Sequence, residues 1–343
     1  MSAALPTGPP TAPSTAVRFN LVDPTATPES LSRRYRAAID MAAFADDRGI
    51  GTIQTEEHHG AVNGWLPSPL TFAGTVFGAT RQISVTVAAL LAPLYDPLRL
   101  AEDIAVLDLL SGGRLVTVAG LGSRRAEYGA HGKDWRWRGK LQDEALETLL
   151  AAWTGEPFGY RGRTVRVTPR PYTQPHPPLY VGGGSRPAAR RAARLGLPMF
   201  LNAHLPRLAA YYRARCAEYG TAGRCVMPAP RTPVLHLSED PDRTWATYGQ
   251  HLLHEARVHA SWQAPPARSG AHPPVSDVDA LRRQGRYRVV TPDECVELAG
   301  SLGDGGRLVL HPLCGGIPVE EGWSSLHLFA SAVLPKIGAA PAP

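Results

Sequence analysis

Short apolar strands alternate with helices that carry apolar stripes along nearly the whole chain, and few folds accept that order. The spacing predicts strands at Val17–Val22, Gly51–Thr55, Ile83–Leu91, Leu115–Ala119, Pro178–Val181, Pro198–Leu201, Val234–Leu237 and Arg307–His311. Helices fill the gaps. The first starts at Thr27-Pro28 with Glu29 behind it, places Leu31, Tyr35, Ile39 and Ala43 on one face, and stops at Gly49, the pattern of a capped helix with proline at its first position. Ser68-Pro69 and Asp96-Pro97 open two more. Others lie at 141–153, Arg186–Leu195, Pro206–Tyr219, within 242–259, from the capping box Thr291–Glu294 to Gly300, and at Glu320–Leu334. Eight such units predict an α/β fold of the parallel (β/α)8 TIM-barrel type. No G-x-G-x-x-G follows strand one, so the chain lacks a dinucleotide fingerprint of its own.

The 343 residues exceed the roughly 250 of a typical barrel. The surplus falls into two expected insertions. One, about 124–177 after strand four, holds a predicted hairpin at Gly159–Val167. The other, about 261–290 after strand seven, contains a stretch at 261–288 without periodicity, read as a long loop and a candidate lid. A single domain is expected over 17–338. Residues 1–16 are rich in Pro, Thr and Ala, with neither a basic start nor an apolar core, and read as a disordered leader rather than a signal peptide. The net charge of +6 comes from arginines scattered along helices, with lysine only at Lys133, Lys140 and Lys336. That scatter argues against nucleic-acid binding, which needs a patch interleaved with aromatic residues. Cys216, Cys225, Cys295 and Cys314 show no C-x-x-C pairing, so neither a disulfide framework nor a zinc site is indicated. No apolar run reaches membrane-spanning length, and a cytoplasmic protein is expected.

Four ionisable groups in a row, Glu56-Glu57-His58-His59, stand where strand two meets a loop rich in Gly and Pro. In a barrel the carboxyl ends of strands are where ligands bind; the alternative is a solvated, charged turn. The remaining strand ends offer Asn20, Ala88-Ala89, Gly120–Ser123, Gly182–Ser185, Asn202–His204 and His311. The triple glycine Gly182–Gly184 ahead of a helix exposes backbone N–H groups at the positive end of a helix dipole, which suits a phosphate, though a simple glycine turn reads the same way. His58 could be a general acid or base, a metal ligand or a pocket wall. A metal would need partners such as His204 and His311, but strand one carries no H-x-H and Glu57 lacks a second carboxylate, so no metal is expected. His251-Leu252-Leu253-His254-Glu255 lies in mid-helix and could face a site, but reads first as a solvated face.

Taken in order, Glu57-His58-His59, Gly64–Pro69, Ala88–Pro93, Asp96–Asp108, Ser111–Leu115, Val181–Ser185, His311–Gly316 and Val333–Pro335 resemble the bacterial luciferase-like flavin monooxygenase family, over about residues 17–336. The resemblance implies a luciferase-like (β/α)8 barrel, usually dimeric, that binds reduced FMN, or in some members F420, at the carboxyl ends of the strands. His58 matches the family's active-site histidine, and Ala88-Ala89 the place of a non-prolyl cis peptide against the flavin. Gly183, Gly184 and Ser185 match its phosphate turn. Together with the strand-end reading, this puts cofactor contacts at Asn20, Glu57, Ala88, Ala89, Gly120, Gly122, Arg138, Gly183, Gly184 and Ser185, and a substrate pocket at His59, Trp65, His204 and His311. Two departures stand out: Gly120 replaces the luciferase subunit's reactive cysteine and Leu121 its phosphate-gripping arginine. Light emission is therefore not expected, and Arg124, Arg125 or Arg138 would supply the missing charge. The expected function is oxygenation of a small organic substrate by O2 and FMNH2 from a separate flavin reductase. Alternatives are an F420-dependent hydride-transferring oxidoreductase, a metallohydrolase built on His58, His204 and His311, and a non-catalytic flavin-binding paralogue.

Overall fold

The computed structural model describes residues 13–230, 232–262, 274–302 and 306–338. Along the chain, β1 (Ser14–Arg18), α1 (Pro28–Asp47), β2 (Thr52–Thr55), α2 (Pro69–Ala79), β3 (Ser84–Leu90), α3 (Pro97–Ser111) and β4 (Leu115–Ala119) alternate. There follow α4 (Arg125–Ala130), α5 (Arg138–Ala152) and the antiparallel hairpin of β5 (Phe158–Tyr160) and β6 (Arg163–Val165). The alternation resumes with β7 (Leu179–Gly182), α6 (Arg186–Leu195), β8 (Met199–Phe200), α7 (Pro206–Tyr219), β9 (Cys225–Val226), β10 (Val234–Leu237) and α8 (Pro241–Ser261). It closes with α9 (Val278–Gln284), β11 (Tyr287–Val290), α10 (Pro292–Leu302), β12 (Arg307–Leu310), α11 (Val319–Leu328) and α12 (Leu334–Ile337).

These elements form two compact units. The first comprises Ser68–Phe77 and Val85–Met227; the second takes the residues up to Pro67, Gly78–Ser84, and those from Pro228 onward. In the first, strands run parallel in the order β3-β4-β7-β8-β9. Both β3 and β4 are mostly buried, which explains why they read as continuous apolar runs rather than alternating ones. Trp153, fully buried, donates its indole N–H to Ala101 O at 3.0 Å and so ties the end of α5 to α3. In the second unit the parallel order is β11-β10-β12-β1-β2. A tight turn at Cys314–Gly316 follows β12 and meets α8 so closely that a Cβ on Gly315 (φ 58°) would lie 1.9 Å from His251 O. Only glycine fits there.

The structure moves several predicted boundaries. Strand one is Ser14–Arg18 rather than Val17–Val22, so it begins inside the expected leader 1–16, of which residues 1–12 lie outside the described residues. Phe19, Leu21 and Val22 are apolar because they are fully buried; Leu21 turns the chain with a positive φ of 60°. The stretch 261–288 is not a loop throughout: α9 lies within it and β11 begins there, pairing with β10. Both are too short for periodicity to reveal. Residues 263–273 of the expected lid lie outside the described residues. The closing helix predicted as Glu320–Leu334 ends at Leu328 and passes through a π-helical turn, Phe329–Val333, before Pro335, whose ring lacks the N–H needed to continue an α-helical ladder.

Candidate active site

In the second unit the polar centre is a buried carboxylate. Glu255, on α8 and fully buried, accepts hydrogen bonds from Arg18 Nη1 at 3.0 Å, Asn20 Nδ2 at 2.8 Å, Tyr287 OH at 3.2 Å and Cys314 Sγ at 3.2 Å. His311 Nε2 lies 3.1 Å from its Oε2, but not on a hydrogen-bonding line, so this contact is an ion-pair distance only. Burial disfavours the Glu255 anion, yet the charges of His311 and Arg18 outweigh it and hold the carboxyl well below its ordinary range. Arg18, 6% exposed, is claimed from the other side by Glu56, which it meets with both Nε and Nη2, and its Nη2 also lies 3.1 Å from His259 Nε2.

Above this network sits a cluster of rings. The backbone after β2 is fixed by His58 N donating to Leu66 O at 3.1 Å and Leu66 N to Asn20 O at 3.0 Å, which brings His58 and Trp65 together, 5.1 Å between centroids and nearly perpendicular. Trp262, at the end of α8, lies 4.4 Å from His58 and 4.9 Å from Trp65; His259 meets Trp65 edge-on at 4.8 Å. A half-buried imidazole thus stands in an apolar, aromatic wall. His59 turns instead to Glu57, Nε2 to Oε1 at 2.7 Å.

In the first unit, β3 ends in a cis peptide at Ala88-Ala89, and Gly120 N donates to Leu90 O at 2.8 Å. The approach is so close that a Cβ on Gly120 would lie 2.5 Å from Ala89 Cβ, which is why glycine stands where the resemblance expects cysteine. Gly122 has a positive φ of 71°. After β7, Gly183 adopts a φ of 143°, and Ser185 caps α6 by accepting from Ala188 N at 3.4 Å. Gly184, Ser185, Asn202 and His204 are exposed around this turn. Gly184 and His204 line a cavity of about 500 Å³ together with Arg186, Leu205, Arg207 and Tyr211. A Cβ on Gly184 would approach Asn202 Oδ1 to 3.0 Å. The open, glycine-built turn at a helix start and its two lining arginines suit an anionic group.

The predicted residues therefore divide. His58, Trp65, His59 and Glu57 gather after β2; Ala88, Ala89, Gly120 and Gly122 gather after β3 and β4; Gly183, Gly184, Ser185 and His204 gather at the start of α6. Asn20 does not face a cofactor, since it is fully buried and both ends of its amide are used, by Glu255 and by Val22 N. His311 is no pocket wall, because it lies fully buried beside Glu255. Of the candidate cations, Arg124 pairs with Glu127 at 3.2 Å, Arg138 folds over Trp135 at 4.4 Å and donates to its carbonyl, and Arg125 is exposed. Of the three candidate metal histidines, His58 has ring neighbours, His311 has Glu255, and His204 lines the cavity by Gly184. Among the described residues Glu255, His311 and Cys314 do have ligand atoms within 4.8 Å of one another. Within that set Cys314 Sγ donates to Glu255 Oε2 at 3.2 Å, and burial pushes the thiol well above its ordinary range.

Sequence reasoning missed Arg18, Glu255, His259, Trp262, Tyr287 and Cys314. The reading of 251–255 as a solvated face is overturned by Glu255. A signal was present, since Leu252, Leu253 and Ala256 beside it form an apolar stripe, which a solvated helix face does not show.

A family model described as luciferase-like monooxygenase matches residues 16–323. A dimethylsulfone monooxygenase of Pseudomonas putida, described as FMNH2-dependent, is 29% identical over 141 residues, 39% of each chain. The chain spans about half the length of the curated relatives it matches. Among solved structures, monooxygenase RslO1 from Streptomyces bottropensis is similar at a TM-score of 0.72 and 25% identity, covering 94% of this chain and 99% of that one. The oxygenating constituent of 3,6-diketocamphane monooxygenase from Pseudomonas putida gives 0.71 at 20% identity, covering 95% and 99%. The fold class is the α/β, (β/α)8 arrangement predicted from the strand count. No described helix is long and apolar enough to cross a membrane.

Proposed function

Because the chain belongs to the luciferase-like monooxygenase family, we propose that it is a flavin-dependent monooxygenase that takes reduced FMN from a separate flavin reductase and uses O2 to oxygenate a small organic substrate. The observation that carries this reading is the exposed glycine turn Gly183–Ser185 at the start of α6, beside Arg186 and Arg207, which suits the phosphate of the cofactor. The FMNH2-dependent relative supports it. Reduced flavin, when bound, supplies the electrons and the oxygen transfer. The chain's own residues do the rest. Ser185 and the backbone N–H groups that open α6 hold the phosphate; Gly120 and Gly122 keep the backbone after β4 free of side chains; Trp65 and Trp262 exclude water; His58 exchanges a proton at a ring nitrogen with the reacting centre.

The protein acts as a homodimer in this reading. On α3, Leu110 is 69% exposed, with Leu109 at 43% and Val106 at 42%, an apolar face that water does not favour and a second copy would cover. The cytoplasm is its place, consistent with four cysteines that are all free.

Titration of the purified chain with reduced FMN and with reduced F420 tests the cofactor. FMN should bind more tightly; a preference for F420 of about tenfold or more (about 1.4 kcal/mol) would move the chain to hydride transfer without oxygen. A stoichiometric bound transition metal in protein purified without chelator would favour the metallohydrolase. Flavin binding without substrate-dependent oxygen consumption, under a saturating reductase supply, would leave a non-catalytic flavin binder. A screen of amines, aldehydes, ketones and sulfur compounds identifies the substrate.

A further inference from the structure

We propose that the cavity beside Gly184 seats the adenylate half of a flavin dinucleotide, so that the protein accepts reduced FAD as well as reduced FMN and binds FAD the more tightly. This rests on the reading of Gly183–Ser185 as the flavin's phosphate turn and extends it outward from there.

The cavity holds about 500 Å³, and whole small-molecule pockets run from about 300 to 1,000 Å³; one phosphate at the turn leaves most of it unfilled. Cavity and turn are continuous. Gly184 belongs to both, and a Cβ on it would lie 3.3 Å from Leu205 Cδ1. Beyond Gly184 the wall is largely apolar, made by Leu205, Pro206, Leu208 and the ring of Tyr211. Leu205, Leu208 and Tyr211 are half-buried. A phosphate gains nothing from such groups, whereas a flat heterocycle that covers them removes apolar surface from water.

The cations of the cavity fit the same ligand. Nearby on α6 and α7, Arg191, Arg194 and Arg215 pair with Asp143, Glu147 and Glu218. Arg186 and Arg207, which line the cavity, meet no carboxylate among the described residues. A phosphate monoester and a pyrophosphate bridge carry similar charge, so the arginines alone do not choose between FMN and FAD; the apolar wall does. Tyr211 is held in place by Arg186 over its ring at 5.1 Å, by Arg215 at 5.3 Å and by Arg190 Nη2, which donates to its hydroxyl at 3.5 Å. The guanidinium of Arg186, laid on that ring, is a planar cation of the kind on which a base stacks, and Arg207 is left to the second phosphate.

Anaerobic calorimetric titration of the purified, flavin-free protein with reduced FMN and reduced FAD tests this, together with titrations by ADP and by inorganic pyrophosphate. FAD should bind more tightly than FMN by about tenfold or more, the factor carried by one added charge-assisted hydrogen bond, and ADP more tightly than pyrophosphate. Arg207→Ala and Leu208→Glu should each abolish the preference for FAD; the ratio of the two affinities reads the adenylate even where FMN binding itself changes. Equal affinity for the two flavins in the wild type, pyrophosphate binding as tightly as ADP, or a preference for FAD that survives both variants would overturn the inference. The wild-type ratio decides the matter if a variant fails to fold. FMN bound without any preference for FAD would sink this inference and leave the flavin-dependent reading intact, whereas failure of both flavins to bind would sink the two together.

Discussion

At the scale of single residues, the most consequential group is Glu255. Its four donors and His311 come from three stretches of chain, 18–20, 287 and 311–314, and removing the carboxylate leaves a buried guanidinium half-paired and three buried donors without an acceptor. Truncating one partner of a buried charge pair costs about 3–5 kcal/mol, and Glu255→Ala should lose that much in urea unfolding. The pH dependence has a definite sign. The folded carboxyl titrates well below its usual value, so its stabilisation is fully present above the unfolded value of about 4.3 and drains away as the pH falls through the lower, folded value. Unfolding free energy measured between about pH 7 and 3 should drop more steeply in the wild type than in Glu255→Gln; parallel curves would show that the ion pairs contribute little. On the proposed function the catalytic residue is His58: His58→Ala should lower turnover by about 10²- to 10⁴-fold and leave flavin affinity within a few-fold. His59, committed to Glu57, should affect stability or loop order instead. Lost turnover in His59→Ala with full activity in His58→Ala would transfer the role to His59.

At the scale of elements, α6 begins with its orphan N–H groups directed to the side where Gly184 and Ser185 are exposed. Gly184→Asp brings two insults, a carboxylate where an anion is expected and a Cβ crowding Asn202. Ser185→Ala removes the cap of α6, a loss of about 1 kcal/mol in helix stability, and, on the proposed function, one hydrogen bond to the phosphate, a further 1.5–3 kcal/mol or so in binding. Both should weaken FMN binding in a fluorescence titration, Gly184→Asp more strongly. Unchanged affinity in Gly184→Asp would put the phosphate elsewhere. The same scale explains the departure at Gly120. The strand after which the resemblance expects cysteine approaches β3 too closely for any side chain, with Ala89 Cβ already in the space.

At the scale of the whole molecule, the proposed dimer predicts that Leu110→Glu yields a monomer by analytical ultracentrifugation with its circular dichroism unchanged, whereas a monomeric wild type would remove the dimer from the account. The fold class was legible in the sequence because strand and helix periodicities are local and repeat, and the helix starts at Thr27-Pro28 and Asp96-Pro97 are written in capping chemistry that needs no tertiary context. The glycine turn at the start of α6 and the placement of His58 after β2 were legible because unusual residue types sit at strand ends. Arg18 and Glu255 were not, since their meaning lies in each other, 237 positions apart, and a lone charge in an apolar stretch does not announce its partner. β11 was hidden for a similar reason: four residues are enough for a ladder but not for a period.

The contact at Gly315 has a consequence for how tightly this machinery is toleranced. Where backbone meets backbone with no side chain between, there is no soft spacer to absorb error, and the gap from α8 to the turn is set as a gauge block sets a jig. Glu255 lies one helical turn along α8 from His251, and Cys314 is the residue just before Gly315, so a shift of a few tenths of an ångström at the gauge would pass directly to hydrogen bonds that weaken steeply beyond their narrow range.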